Sequence, residues 1–354
     1  MNSACIVVIA GYSGAGKTTL IERILPELKK EGLSVGVLKH THHKLNPDVK
    51  GKDSDRFFRA GADFVFAHDA RQVLARHRNN NENFSDLVRK FPAVLDLIIV
   101  EGHKDIDDIP GIWLEAGPAG KRNDKTACRN RKAGSRGDPR CHRKALACIR
   151  EEMESFHSKR PLMAGLLIGG KSTRMGTPKA LLKMKGKTLA EGSFSVLSAV
   201  SGKTVLLGSG QLPESLKTAD RLPDVRGVEG PLSGILSAFR WAPESAWIIS
   251  SVDMPCMHKR AWEWLLSQRK PGVWAVLPKI KGSKGVETTG AVYEPMIFEH
   301  VESLAREGIT TLQEIARHPK VMTPVIPESF SAAWSNVNTL AEWKKTLLLH
   351  LEKG

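Results

Sequence analysis

The chain has 354 residues, too many for one ordinary domain and suited to two, and its 41% hydrophobic content is enough to fill real cores. No run of 18 or more apolar residues occurs, and Met1-Asn2-Ser3-Ala4-Cys5 leads straight into an apolar stretch. Neither a membrane span nor a signal peptide is therefore expected, and the expected location is the cytoplasm. Five cysteines at irregular spacing define no disulfide framework and fit a reducing compartment. The net charge of +15 suggests nucleic acid until it is located. Between residues 117 and 150, eleven Lys and Arg stand against two acidic residues, Asp124 and Asp138, so more than half of the excess lies in one stretch. Outside it the chain is only modestly basic, as polyphosphate binders are, and no aromatic residues interleave with the basic ones to stack single strands. No nucleic-acid partner is expected.

Ala4 to Ala10 reads as a buried strand opening into Gly11-Tyr12-Ser13-Gly14-Ala15-Gly16-Lys17-Thr18-Thr19, which fits G-x-x-x-x-G-K-[ST] at every position. The helix that follows, Lys17 to Lys30, carries Leu20, Ile21, Ile24, Leu25 and Leu28 on one face and stops before Gly32. Strand, loop and helix in this order make a phosphate cradle. Backbone N–H groups wrap the phosphates, Lys17 reaches the β and γ oxygens, and Thr18 ligates Mg²⁺.

A second strand, Ser34 to Leu38, leads into Lys39-His40-Thr41-His42-His43. Structural zinc sites want four ligands in a closed set, and no cysteine pair is near, so this reads as a polar loop beside the nucleotide. Gly51-Lys52-Asp53-Ser54 opens a charged helix that turns into the strand Phe64 to Ala67; Asp53 caps that helix or helps hold a metal, capping being the commoner role. Leu95 to Val100 is a hydrophobic strand with Glu101 at its end, where a carboxylate that holds metal or positions water belongs. Together the P-loop, Lys-His-Thr-His-His, Gly-Lys-Asp-Ser and Val-Glu-Gly-His-Lys segments resemble MobB, the small P-loop GTP-binding adaptor of molybdopterin guanine dinucleotide synthesis. The resemblance covers about residues 1–115. Beyond it the expected apolar strand is replaced by basic sequence from Gly120 to Arg150. Low apolar content with dense charge predicts a basic linker or degraded domain end over residues 117–160, with a short helix only at Ile149 to His157.

Met163 to Ile168 is again an apolar, buried-strand run, followed by Gly169-Gly170-Lys171-Ser172-Thr173-Arg174-Met175-Gly176-Thr177-Pro178-Lys179. The glycines remove side chains that would keep an anion from the backbone N–H groups, and Arg174 and Lys179 add two cations. Read from Leu167, the segment resembles the molybdenum cofactor guanylyltransferase signature L-A-G-G-x-x-x-R-M-G-x-x-K, with Ile168 for Ala and Pro178 where many members carry Asp. A helix over 190–200 and a strand over 203–207 precede Gly208-Ser209-Gly210, where the family often carries Asn for the base.

Asp224 lies six residues before Gly230-Pro231-Leu232-Ser233-Gly234, which matches the family's G-P-L-A-G and opens a helix. Cytidylyltransferases of the same fold usually have L-A-A-G and lack G-P-L-[AS]-G, so the pattern favours guanine. The strand Trp247 to Ser251 ends in Val252-Asp253-Met254-Pro255, matching C-D-M-P, and the C-terminal edge of such a sheet is where a Mg²⁺ carboxylate belongs. Trp262 and Trp264, two apart on a helix at 259–268, point to different sides, which predicts that one is exposed. Asn338, before the N-cap Thr339 of a helix at 340–349, resembles the family's N-[VI]-N-T, where an amide sits beside metal and phosphates.

The fold expected is α/β throughout: a P-loop NTPase-like domain (residues 1–116), the basic stretch 117–160, and a Rossmann-like α/β/α nucleotidyltransferase domain (161–354). The resemblance implies transfer of GMP from GTP to the molybdenum cofactor (molybdopterin), releasing pyrophosphate, with Mg²⁺ as cofactor. Arg174, Lys179 and Asp253 are the implied catalytic residues. Leu167, Ile168, Gly169, Gly170, Lys179, Asp224, Gly230, Pro231, Asp253 and Asn338 would line the nucleotide. Gly11, Gly14, Gly16, Lys17, Thr18 and Thr19 form the P-loop, and Asp253, Thr18 and Glu101 are the metal candidates. Molybdoenzyme apoproteins or their chaperones are the implied macromolecular partners. A cytidylyltransferase or sugar-phosphate nucleotidyltransferase of the same fold, and a non-catalytic GTP-dependent delivery adaptor, remain open alternatives.

Overall fold

The structure, a computed structural model, describes residues 3–41, 50, 52–78, 82–102, 109–115, 131–135, 140–169 and 178–351. Its first sheet is built from β1 (Cys5–Gly11), β2 (Val35–Lys39), β5 (Leu97–Glu101), β6 (Gly111–Glu115) and β7 (Arg131–Ser135), all parallel in the order β2-β5-β1-β6-β7. A separate antiparallel hairpin, β3 (Phe64–His68) and β4 (Val73–His77), stands apart from that sheet. The side-chain period of two splits the apolar strands between two faces. Cys5, Val7, Ile9, Leu97 and Ile99 pack under α1 (Lys17–Lys30) and α4 (Cys141–Lys159), while Val8, Ala10, Ile98 and Val100 meet Val88 of α3 (Phe84–Arg89). Asp53 opens the short α2 (Asp53–Arg59), where it pairs with Arg56 at 3.5 Å on the exposed surface.

Two expectations about the basic stretch are corrected here. Arg131–Ser135 pairs parallel with β6, so a fifth strand is present within it. Far from being a linker with a short helix, Cys141–Lys159 is a 19-residue helix of the first domain. Cys141, Ala145, Leu146, Ile149 and Met153 recur at helical spacing and bury against the sheet, while the basic residues lie on the other faces and Arg150 pairs with Glu31 of the first helix's cap. Charge density along the sequence masked that apolar stripe. Asp124, Cys128 and Asp138 lie outside the described residues.

The second sheet has seven strands: β8 (Leu162–Leu167), β11 (Lys203–Leu207), β12 (Arg221–Leu222), β13 (Ala246–Ser251), β14 (Ala275–Val276), β15 (Gly290–Tyr293) and β16 (Val321–Met322), in the order β12-β11-β8-β13-β15-β14-β16. Only β15 runs against its neighbours. A two-residue hairpin, β9 (Lys183–Met184) and β10 (Lys187–Thr188), lies beside it. Helices α6 (Pro231–Trp241) and α8 (Phe298–Arg306) cover one face; α5 (Leu189–Ser198) and α7 (Lys259–Leu266) cover the other, and α9 (Leu340–Leu351) closes the chain. Trp262 is buried and Trp264 half-buried, its ring meeting Trp334 edge-on at 5.6 Å, so neither is exposed as the spacing suggested. No helix among the described residues is long and apolar enough to cross a membrane.

The two sheets meet through their N-terminal edges. Asp96, just before β5, accepts from Ser34 N–H at 2.7 Å, from Trp274 Nε1 at 2.8 Å and from the Lys320 ammonium. Arg160, just before β8, donates to Glu294 at 2.9 Å and to Ser3 O at 2.7 Å, and Arg269 takes the other Glu294 oxygen at 2.7 Å. Burial alone would raise the Glu294 carboxyl, but Arg269, with His157 and Arg160, outweighs it and holds the group below the usual range. Truncating Glu294 leaves two buried guanidinium groups without a counter-charge, so Glu294→Ala should cost about 3–5 kcal/mol in chemical denaturation. His157, 3.7 Å from Glu294, is kept neutral by burial, its pKa lowered from 6.5. A folded pKa below the unfolded one means stability is present above pH 6.5 and is lost as pH falls through the depressed value. Urea midpoints between pH 7.5 and 5 should therefore fall, and His157→Gln should flatten that slope.

Candidate functional site

At the C-terminal edge of the first sheet, three glycines shape the P-loop. Gly11 (φ 151°) lets β1 approach β6 so closely that an added Cβ would meet Leu114 O at 2.7 Å, while Gly14 and Gly16 take φ of 75° and 88°. Such values strain any side-chain-bearing residue. Gly16 then caps α1. Lys17 Nζ lies 3.0 Å from Gly11 O and 2.8 Å from Tyr12 O, across the mouth of the loop. Thr18 Oγ1 donates to Glu101 Oε1 at 2.9 Å, which brings the two expected metal candidates of this half together. Thr19 is exposed in the first helical turn. His40 stays close, its N–H bonded to Glu101 O at 3.0 Å; His42 and His43 lie outside the described residues.

In the second domain, Leu167 ends β8, and Ile168 and Gly169 follow it beside the loop after β11. Gly210 packs so tightly that a Cβ would sit 2.1 Å from Ile168 O. Ser209 Oγ donates to Asp224 Oδ2 at 3.1 Å, and Arg221 ties the loop by donating to Gly208 O at 2.7 Å and Gly210 O at 3.1 Å. Four residues of Gly230-Pro231-Leu232-Ser233-Gly234 then have distinct roles. Gly230 supplies φ 69° at the cap and Pro231 the first helical position. Ser233, buried, accepts from Val225 N–H at 2.7 Å and so fixes the loop carrying Asp224. Gly234 lies against Leu167, where a Cβ would be 2.4 Å from Cδ2.

Across this wall, Lys179 Nζ donates to Asn338 Oδ1 at 2.8 Å and stands 3.6 Å from Asp253 Oδ2. The C-terminal segment is held there by Val337 N–H on Asp253 O at 2.8 Å, and by Glu342, which accepts from Asn338 N–H at 2.6 Å and Thr339 N–H at 3.0 Å. Those backbone donors, Asn338 first, hold the Glu342 carboxyl below its ordinary value. Asp253 Oδ1 is buried and bonds to nothing among the described residues. Gly170 and Arg174, also expected at this site, lie outside the described residues.

Glu287 is a neighbour that sequence reasoning missed. Because β15 runs antiparallel to β13, its start lies at the edge where β13 ends, beside Asp253. Gln313 clamps Val286 through both backbone groups at 3.0 and 2.8 Å, Glu287 N–H donates to Pro278 O at 2.7 Å, and Tyr293 Oη donates to Thr288 O at 2.6 Å. Burial, and then the Asp253 charge, push the Glu287 carboxyl up from its ordinary value. A carboxylate in a glycine-flanked loop before a strand gives no signal until the strand's direction is known.

A P-loop at the edge of one parallel sheet, joined to a second α/β sheet whose corresponding edge gathers a glycine loop, a lysine and a carboxylate, defines a two-domain nucleotide-handling protein. Residues 6–131 match the family model described as "Molybdopterin guanine dinucleotide synthesis protein B", and residues 164–321 match the "MobA-like NTP transferase domain". The chain is 39% identical over 115 residues to the molybdopterin-guanine dinucleotide biosynthesis adapter protein of Haemophilus influenzae, covering 32% of this chain and 64% of that one. The Escherichia coli adapter protein is 38% identical over 122 residues, 33% of this chain and 69% of its own. A Deinococcus radiodurans protein named "Probable molybdenum cofactor guanylyltransferase" is 28% identical over 182 residues, covering 51% of this chain and 92% of that one. The chain belongs to the molybdopterin guanine dinucleotide synthesis protein B family through its first domain, and a MobA-like NTP transferase domain follows, which makes it a nucleotidyltransferase.

The glycine contacts are directly testable. Gly234→Ala must displace Leu167 and should cost about 1–3 kcal/mol in thermal or denaturant unfolding. Gly210→Ala meets backbone rather than a side chain and should lose more stability, together with nucleotide binding measured with a fluorescent GTP analogue.

Proposed function

We propose that the second domain transfers GMP from GTP to the terminal phosphate of the molybdenum cofactor, releasing pyrophosphate, and that the first domain is a GTP-binding accessory. The convergence of Lys179, Asp253 and Asn338 at the sheet edge, opposite the 208–210 loop and Gly230, is the observation that best supports this reading. The acceptor phosphate is already anionic and needs no base. What the site must do is hold two highly charged groups in line and absorb the charge that builds on the leaving pyrophosphate. Lys179 donates to that charge from a position fixed by Asn338. Arg174 would be a second cation on the triphosphate, and the backbone of Leu167 to Gly170 would border the nucleotide, with Asp224 and the Gly230-Pro231 cap on its far side.

Asp253 fits a hard divalent cation such as Mg²⁺, because one of its oxygens is buried with no hydrogen-bond donor among the described residues. Asn338 would add an amide oxygen. Mg²⁺ bound there would neutralise phosphate charge, taking its other ligands from phosphate and water. In the first domain, Thr18 and Glu101 are the oxygen groups placed to serve Mg²⁺ beside the phosphates.

The fusion also constrains how the halves cooperate. The sheets are joined at their N-terminal edges, whereas both candidate sites lie at C-terminal edges. Strand rise alone separates them by on the order of 40 Å. Product formed at Asp253 cannot pass directly to the P-loop of the same chain, so delivery to apoenzymes or their chaperones would go through solvent or a partner.

Pyrophosphate release by the purified chain with Mg²⁺ and molybdenum cofactor, compared for GTP, CTP and ATP, is the test. Release with GTP is expected, reduced by about 10²–10³-fold in Asp253→Ala and Lys179→Met. Release with CTP alone would overturn the base assignment. Tight GTP binding with no release would point instead to a delivery adaptor.

A further inference from the structure

The P-loop domain carries a second lysine at its site that the phosphate chemistry above does not use. Lys39 ends β2, and strand register sets it directly opposite Glu101 on β5. Its ammonium lies 3.4 Å from Glu101 Oε2 and 3.4 Å from Thr18 Oγ1, while the Thr18 hydroxyl donates to Glu101 Oε1 at 2.9 Å. The three groups form a closed ring. The directions are mutually consistent: the ammonium donates to the threonine oxygen, the threonine proton goes to one carboxylate oxygen, and the ammonium pairs with the other.

The oxygens that Lys39 bridges are the two that a P-loop magnesium ion would use. A divalent cation drawn to the Thr18 hydroxyl and the Glu101 carboxylate would compete with the ammonium for those oxygens. Two cations crowded against those oxygens repel one another even at surface-like screening. The Lys39 side chain is 55% exposed and the Glu101 side chain 10%, so the lysine has a solvent path out while the carboxylate stays.

We propose that Lys39 is a tethered cation occupying the divalent-metal position of the P-loop, so that Lys39 and Mg²⁺ exclude one another. It rests on the reading of this loop as a nucleotide site. Without metal, the ammonium keeps Thr18 and Glu101 in place and offsets the Glu101 charge. When a Mg²⁺–nucleotide complex arrives, the lysine swings out, and nucleotide binding acquires a high metal threshold. Lys17 remains the phosphate lysine, and the two lysines thus have separate duties.

The test uses the full chain in an Asp253→Asn background, which silences the other candidate metal site. Direct Mn²⁺ titration of the nucleotide-free protein by electron paramagnetic resonance is the first arm. Lys39→Met keeps the stem and removes the charge; it should tighten Mn²⁺ binding by about tenfold or more, allowing for solvent screening. Adding Glu101→Gln to it should abolish the gain, and Lys39→Arg should behave as the parent. The second arm titrates Mg²⁺ against binding of a fluorescent GTP analogue, where Lys39→Met should lower the half-saturating Mg²⁺ concentration by a similar factor. Unchanged or weakened Mn²⁺ binding in Lys39→Met overturns the proposal. A parent chain that binds no GTP analogue at any Mg²⁺ concentration overturns the nucleotide reading of the loop, and the Mn²⁺ arm still decides the role of Lys39.

Discussion

Buried carboxylates at the seam set the geometry of everything else. Glu294 and Asp96 are 2% and 5% exposed, and each is satisfied from more than one element: Glu294 by Arg160 and Arg269, Asp96 by Ser34, Trp274 and Lys320. A buried charge of this kind gains little over a well-packed apolar contact, yet it is severe about geometry, because losing one partner strands the others. The seam therefore acts as a fixed joint. Gly272 reinforces it, sitting where a side chain would strike Leu33 at 2.8 Å, and the packing leaves a cavity of about 10 Å³. Cys5 lines that cavity, and burial pushes its thiol up to about 12, which makes it an inert packing group rather than a nucleophile.

With the N-terminal edges joined, only the far edges of the two sheets are free for chemistry. Each has solved the same problem with the same materials. A strand ends, glycine lets backbone come close, a lysine is placed by oxygen acceptors, and a carboxylate on an adjacent strand completes the set. In the first domain these are Gly11, Lys17 and Glu101; in the second, Gly210, Lys179 and Asp253. The difference lies in how the lysine is held. Lys17 rests on its own loop's carbonyls, whereas Lys179 is fixed by Asn338, which arrives from the far C-terminal end and is anchored by Glu342 and by the buried Val337 and Trp343. The last helix is thus part of the second site's frame.

Much of this was legible in the sequence, where local pattern and tertiary role coincide. The strand, loop and helix at Cys5–Lys30 follow from an apolar run, three glycines and a 3.6-residue stripe. Lys203–Leu207 likewise reads as a strand without help. What escaped was anything whose meaning depends on partners. The helix at Cys141–Lys159 was hidden by its own basic surface, and the strand at Arg131–Ser135 has too few apolar residues to announce itself. Ser233 gave no sign that it ties down the Asp224 loop. Glu287 depends on the reversed direction of one strand, and Lys39 on the register of two strands far apart in sequence. The proximity of Lys179 to Asn338, 159 residues apart, was suggested by resemblance and not by any local rule.

The most direct measurement is a crystal structure of the chain with Mn²⁺ and a non-hydrolysable GTP analogue, using anomalous scattering to locate the metal. The account predicts a metal peak on the Asp253 carboxylate, with the triphosphate against Lys179 and the backbone after Leu167. A nucleotide bound elsewhere on the second domain, or a metal that leaves Asp253 untouched, would contradict it.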